Sequence, residues 1–209
     1  MKQLSEVLDN MPTIGGQTEP NGNLSRTLQH GLTVNDGMTT SAKLAAMDPR
    51  TVAEALKTKL AVCLGLDYGC LNANARRDGD FNIIGYDAIP LDGAKAEAAY
   101  VILVNATAPA PSDVLVPALV KSRVMCKRRA EDTYSEEALQ AAYLEIFQQW
   151  PGDVAMKVIS GLSRLDGGWW PCANAVEQEL KFTANGRLEL RNALEIARHR
   201  PRQGQGMGK

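Results

Sequence analysis

The chain has 209 residues, of which 44% are hydrophobic and 22% charged, and its formal net charge is −1 at pH 7. That length supports one domain with a real core, or a smaller domain with flexible ends. The near-neutral balance sets up no global field toward nucleic acid or membrane, and no apolar run approaches the ~20 residues that a membrane span needs.

Met1–Asn10 is polar and amphipathic, without the apolar stretch of a secretory leader. A cytoplasmic protein is therefore expected. Leu4, Val7 and Leu8 fall on one side of a short helix over Met1–Leu8. From Pro12 to Thr40 the chain is rich in Gly, Asn, Thr and Ser, with few large apolar side chains. Such a segment buries too little surface to offset its ordering entropy, so residues 1–47 are expected to be mostly a flexible arm that orders on a partner.

Asp48-Pro49 has the form of an N-cap followed by a first helical residue. The helix from Pro49 to about Leu66 carries Val52, Leu56, Leu60, Val62, Cys63 and Leu64, and Gly65 weakens its end. Asp67–Leu91 is read as a loop. Phe81–Pro90 has the composition of an extended segment, but an isolated strand needs a partner that the sequence does not reveal. Helix returns over Ala94–Ala106, with Ala98, Tyr100, Val101, Leu103 and Val104. Ser112-Asp113 opens another, bearing Val114, Leu115, Ala118, Leu119 and Val124. Pro117 lies inside it, and either kinks that helix or moves its start to about Val116.

Thr133 and Glu136 form a capping-box pattern, hydroxyl and carboxylate each satisfying an orphan amide. Ala138, Leu139, Ala142, Tyr143, Ile146, Phe147 and Trp150 then recur at helical spacing. Pro151 stops that helix and suits the first turn of the next, where Asp153 sits near the positive end of the helix dipole. Val154, Val158, Ile159, Leu162 and Leu165 make its apolar stripe, and Asp166-Gly167-Gly168 ends it. Trp169-Trp170-Pro171 repeats the joint before a helix with Val176 and Leu180. Asn185-Gly186 provides a turn. A last helix from about Arg187 carries Leu188, Leu190, Leu194 and Ile196, ending near His199, and the tail 199–209 is expected to be disordered.

Ala98–Arg123 echoes Ala141–Arg164: both run Ala-Ala-Tyr, an apolar stripe, proline, Asp-Val, a second stripe and Ser-Arg. Two such helical hairpins stacked together would bury faces that neither buries alone. The expected fold is mainly α: a compact multi-helix domain over residues 48–198, built from stacked helical hairpins, with a flexible N-terminal arm and C-terminal tail.

No catalytic motif stands out. The P-loop pattern, Gly-x-Ser-x-Gly and His-Glu-x-x-His are all absent. His30 and His199 lie in opposite flanks, which disfavours a Ser-His-Asp triad. The four cysteines (Cys63, Cys70, Cys126, Cys172) lack metal-ligand spacing and read as free thiols of a reducing compartment. Neither metal nor cofactor is expected. The remaining enzymatic reading places Arg76, Arg77, Asp78 and Asp80 in a pocket formed by the Asp67–Leu91 loop.

Two basic clusters are the candidate binding residues. Lys121, Arg123, Lys127, Arg128 and Arg129 lie within nine residues, and Arg187, Arg191 and Arg198 line the last helix, with Arg200 and Arg202 in the tail. Clusters of this kind neutralise phosphates, or form an ordinary solvated face. Trp150, Trp169 and Trp170 read first as core and hinge packing and second as surfaces for bases or a partner.

Leu119–Leu180 resembles a helical module of phage and prophage proteins from Gram-negative bacteria. The shared features are a basic helix end, an acidic spacer, a Trp-Pro-x-Asp-Val joint and a Trp-x-Pro-like joint before Glu-Leu, here KSRVMCKRRAEDTYSEEALQAAYLEIFQQWPGDVAMKVI and WWPCANAVEQEL. The resemblance covers about a third of the chain, and the long Asp67–Leu91 segment departs from it. It implies a DNA-replication accessory role, similar to helicase loaders without their own ATPase. The expected partners are a replicative helicase or DNA, with no membrane. The alternative is a protein-binding inhibitor of a host complex, acting through the arm and the aromatic joints.

Overall fold

The computed structural model describes residues 40–65, 74–87, 93–129 and 134–199. The mainly α expectation holds: the described residues form eight helices and one two-stranded sheet. The helices are α1 (Thr40–Ala45), α2 (Pro49–Leu64), α3 (Gly93–Ala106), α4 (Ser112–Met125), α5 (Glu136–Phe147), α6 (Gly152–Leu165), α7 (Ala173–Ala184) and α8 (Arg187–Arg198), with β1 (Ala75–Arg77) and β2 (Ile83–Tyr86) between α2 and α3. The short helix expected over Met1–Leu8, most of the arm, Cys70, His30 and the tail from Arg200 lie outside the described residues. None of the described helices is long and apolar enough to cross a membrane.

Local chemistry sets most helix ends. The Asp48 carboxylate accepts from the amides of Arg50 and Thr51 (3.2 and 3.4 Å), and Pro49 occupies the first turn, where no donor is required. Gly65 closes α2 at φ 63°. Between α7 and α8, Asn185 and Gly186 both adopt left-handed conformations. Thr133, expected to open the capping box, lies outside the described residues; the cap of α5 is Ser135, whose hydroxyl accepts from the Ala138 amide at 3.2 Å. Glu136 is the first residue of α5 and pairs instead with Arg123 and Arg128.

Two hydrophobic clusters form the core. Leu44 of α1, the inner faces of α2 and α3, and Leu190, Leu194 and Ala197 of α8 make the first. The second joins Ala45, Leu115 and Leu119 of α4, Tyr143 and Phe147 of α5, the α6 stripe, Trp170, and Val176, Leu180 and Ala184 of α7. Helix α6 is the spine of the fold, packing against α1, α2, α4 and α7. The hairpin echo does not produce stacked hairpins. Helix α3 packs on α2 and α8, whereas α4 packs on α5 and α6, so the two halves of the first copy part into different clusters.

Several apolar positions assigned inward face outward. Val62, Val104, Val124 and Ile196 are exposed, while Ala96, Ala99 and Ile102 carry the inner face of α3. Residues 40–47, read as part of the arm, belong to the packed structure, with Ala42, Leu44 and Ala45 buried. Pro117 sits within α4, whose start remains at Ser112.

The loop reading of Asp67–Leu91 is also corrected. Ala75–Arg77 is the missing partner of the Phe81–Pro90 segment, pairing antiparallel as Ala75 with Tyr86, Arg76 with Gly85 and Arg77 with Ile83. The shift between the last two pairs leaves Ile84 as a bulge. Asp78 organises the turn, its Oδ1 accepting from the Asp80 and Asn82 amides at 3.0 and 2.9 Å. The sheet leans on the α7–α8 turn, where a Cβ on Gly186 would meet Ile83 at 2.8 Å.

Candidate binding surfaces

The first basic cluster lies where the end of α4 meets the α6–α7 joint. Lys127 and Trp169 form a parallel backbone bridge, with the Lys127 amide donating to the Gly168 carbonyl (2.7 Å) and the Trp170 amide to the Lys127 carbonyl (3.1 Å). Trp170 is buried beneath this bridge, its ring centroid 4.9 Å from that of Tyr143, with the Arg123 guanidinium 5.2 Å above it. The Tyr143 hydroxyl donates to the Pro171 carbonyl. Arg123 also grips Glu136 through two hydrogen bonds, at 3.0 and 3.2 Å, and Arg128 shares that carboxylate at 3.1 Å. Arg129 pairs with Asp166. Three of the five cations are therefore engaged by carboxylates of the fold, Arg123 and Arg128 at the start of α5 and Arg129 at the end of α6. Lys121 and Lys127 are exposed, Lys127 lying 5.7 Å from the centroid of the Trp169 ring.

The second cluster is still more internal. Arg187, at the start of α8, reaches the fully buried Asp153 at the start of α6, with Nη2–Oδ2 at 2.6 Å and Nη1–Oδ1 at 3.2 Å. Its Nη1 also donates to the Ala106 carbonyl at 3.4 Å. Burial pushes the Asp153 carboxyl above its ordinary range, and the guanidinium beside it offsets part of that push. Arg191 donates to the Thr107 hydroxyl at 3.1 Å. Arg198 bonds to Glu97 at 3.2 Å and lies 3.9 Å above the Tyr100 ring. These three arginines bind the last helix to α3 and α6. Trp150 is half-buried against the second cluster, and of the three tryptophans only Trp169, 38% exposed, presents much ring to solvent.

Among the described residues, two surfaces remain open. The first is the outer side of α4. Val116, Val120 and Val124 recur every fourth residue, sharing a face, and all are exposed, Val124 to 82%, with exposed Met125 at the end. The inner side of the same helix is committed to Leu115, Leu119 and Ser122, whose hydroxyl donates to the Ile159 carbonyl at 2.6 Å. Trp169 and Tyr134 carry exposed aromatic surface at the C-terminal end of this ridge, where Arg128 binds the Tyr134 carbonyl at 2.9 Å.

The second is a groove of about 920 Å³ bounded by the N-terminus of α2, the β-hairpin, α6 and α7. Arg50, Arg77, Lys157, Arg164 and Lys181 line it against two carboxylates, Asp48 and Glu179. Sequence reading missed it because its cations are strung across four elements and never cluster along the chain.

The loop residues considered for catalysis do not converge. Arg76 points toward Asp87 (3.7 Å), Asp78 is engaged in the turn, and Arg77 donates to the Phe81 carbonyl at 2.8 Å. Burial raises the Cys63 and Cys126 thiols above their ordinary range. Among the described residues no cluster of His, Cys, Asp and Glu could hold a metal ion. No protein-family model matches the chain, and no curated protein or solved structure matches it significantly.

Proposed function

We propose that this chain is a non-enzymatic adaptor of phage or prophage DNA replication, which works by docking a replicative helicase on the outer ridge of α4. The observation that supports it most is that ridge. Val116, Val120, Val124 and Met125 stand in solvent on a helix whose other side is taken up by the core, and Trp169 prolongs the apolar surface beyond the helix end. Contiguous apolar surface of this kind marks a contact site in folded monomers, and exposed aromatic rings beside cations are the residue types that dominate such contacts. The replication context rests on the resemblance of Leu119–Leu180 to prophage helical modules. A helper of this type needs no P-loop, and the sequence carries none.

Tagged full-length chain mixed with the host replicative helicase should retain it, and Val120→Asp with Val124→Asp should abolish retention without changing circular dichroism. Absence of helicase capture by the wild-type chain at low salt overturns the assignment. Capture of a different host complex that is lost on deleting Met1–Thr40, and that ignores the ridge substitutions, points instead to an inhibitor.

A further inference from the structure

The groove between the hairpin and α7 carries a second inference, which does not rest on the α4 ridge. We infer that this groove binds a short stretch of single-stranded nucleic acid, phosphates on its cations and bases on Phe81 and Phe182. The chain as a whole has 24 acidic and 23 basic residues, yet five cations and two carboxylates line this groove. One of the two, Asp48, is already committed to capping α2 and lies 3.7 Å from Lys157. Arg50, Arg164 and Lys181 form no ion pair among the described residues. Unlike most arginines of the two sequence clusters, Arg50 and Arg164 are not held by a carboxylate among the described residues, while Lys181 acts at longer range on Asp78 and Glu189.

Two phenylalanines stand in the same groove, Phe81 79% and Phe182 70% exposed. Phe81 is the more telling. Its φ of 64° is a left-handed conformation that a bulky side chain adopts only at a cost. Arg77, which also lines the groove, fixes that turn by donating to the Phe81 carbonyl. The residue thus bears backbone strain and gains no burial from the described residues in return, so its ring is held out for a partner.

Single strands match this pairing of features. Each nucleotide delivers one phosphate and one flat π face, so charge and stacking surface arrive at a fixed spacing. A duplex keeps its base faces inside its own stack and offers the rings nothing. An acidic peptide would satisfy the cations but brings no regular aromatic-stacking partner.

Fluorescence anisotropy with the full-length chain tests this, using labelled oligo-dT, oligo-rU, a duplex and polyglutamate as probes. Oligo-dT or oligo-rU should bind at low salt, more tightly than duplex or polyglutamate, with affinity falling linearly in a log–log salt series. The preferred strand separates DNA from RNA. Phe81→Ala with Phe182→Ala should weaken binding at least about ten-fold, while Arg164→Ala with Lys181→Ala should weaken it and flatten the salt slope. All four are exposed side chains, and circular dichroism checks that the fold persists. Val120→Asp with Val124→Asp should leave strand binding unchanged, which separates this inference from the ridge. No strand binding, tighter binding of polyglutamate or duplex, or indifference to the phenylalanine pair overturns it.

Discussion

Arg187 lies across the buried carboxylate of Asp153 in a two-pronged contact, joining the first turn of α8 to the first turn of α6 and so one hydrophobic cluster to the other. Taking both charges out of water is costly, and their attraction repays this only while both are present. Arg187→Leu should therefore destabilise the fold by about 3–5 kcal/mol, because it strands a buried carboxylate. Asp153→Leu with Arg187→Leu should recover much of the loss. Urea midpoints of the wild type, the single variants and the double variant measure the coupling.

Glu189, on α8, gives a pH-dependent readout. Burial pushes its carboxyl above the ordinary range, with a hydrogen bond from its own backbone amide and the charge of Lys181 pulling the other way. A folded-state value above the unfolded one, itself about 4.3, means that the native chain holds the proton more tightly. This group's contribution to stability is thus fully present below the unfolded value and is lost as pH rises through the folded one. Glu189→Gln should be more stable than wild type at neutral pH, and that advantage should vanish in acid. Paired urea titrations at neutral and acidic pH give the sign.

At the α7–α8 turn, Gly186 combines a φ of 75° with Ile83 packed where a side chain would be. Gly186→Ala should cost at least about 1–2 kcal/mol from the left-handed backbone alone, with a further loss from collision with the hairpin. Because the Ile83 Cβ itself lies at 2.8 Å, only Ile83→Gly clears the space; adding it should recover the collision part, measured against Ile83→Gly alone, and leave the backbone part. Thermal denaturation of the four combinations separates the two.

Phe81 predicts a trade-off between stability and binding. Phe81→Asn places a residue tolerant of φ near 64° in an exposed turn and should raise stability by up to about 1 kcal/mol. The same substitution should weaken oligo-dT binding. Equal or lower stability in the variant would show that the turn does not strain Phe81.

The parts of this fold legible in the sequence were those decided by neighbouring residues. Asp48-Pro49, Gly65, Asp166-Gly167-Gly168 and Asn185-Gly186 set helix ends through caps and left-handed turns, and each boundary fell within a residue or two of its expected place. The faces were harder. Val62 and Val124 fit a helical stripe by spacing, but on α2 and α4 a second apolar face is available, and only packing selects between them. The hairpin was invisible because Ala75–Arg77 is polar and short. It is held by the Asp78 turn and by Ile83 on Gly186, the latter a contact between distant residues. The charged residues were legible as charges and not as partners: Arg123 finds Glu136 13 positions away, and Arg198 finds Glu97 101 positions away. For the same reason the groove cations left no signature along the chain.

Leu44 and Ala45 are consecutive residues of α1, yet one is sunk in the first hydrophobic cluster and the other in the second. A short helix of this kind acts as a rivet. Neither half can open to solvent without pulling on a side chain that the other half keeps dry, and so melting should pass through one sharp step, with no half-folded species accumulating along the way.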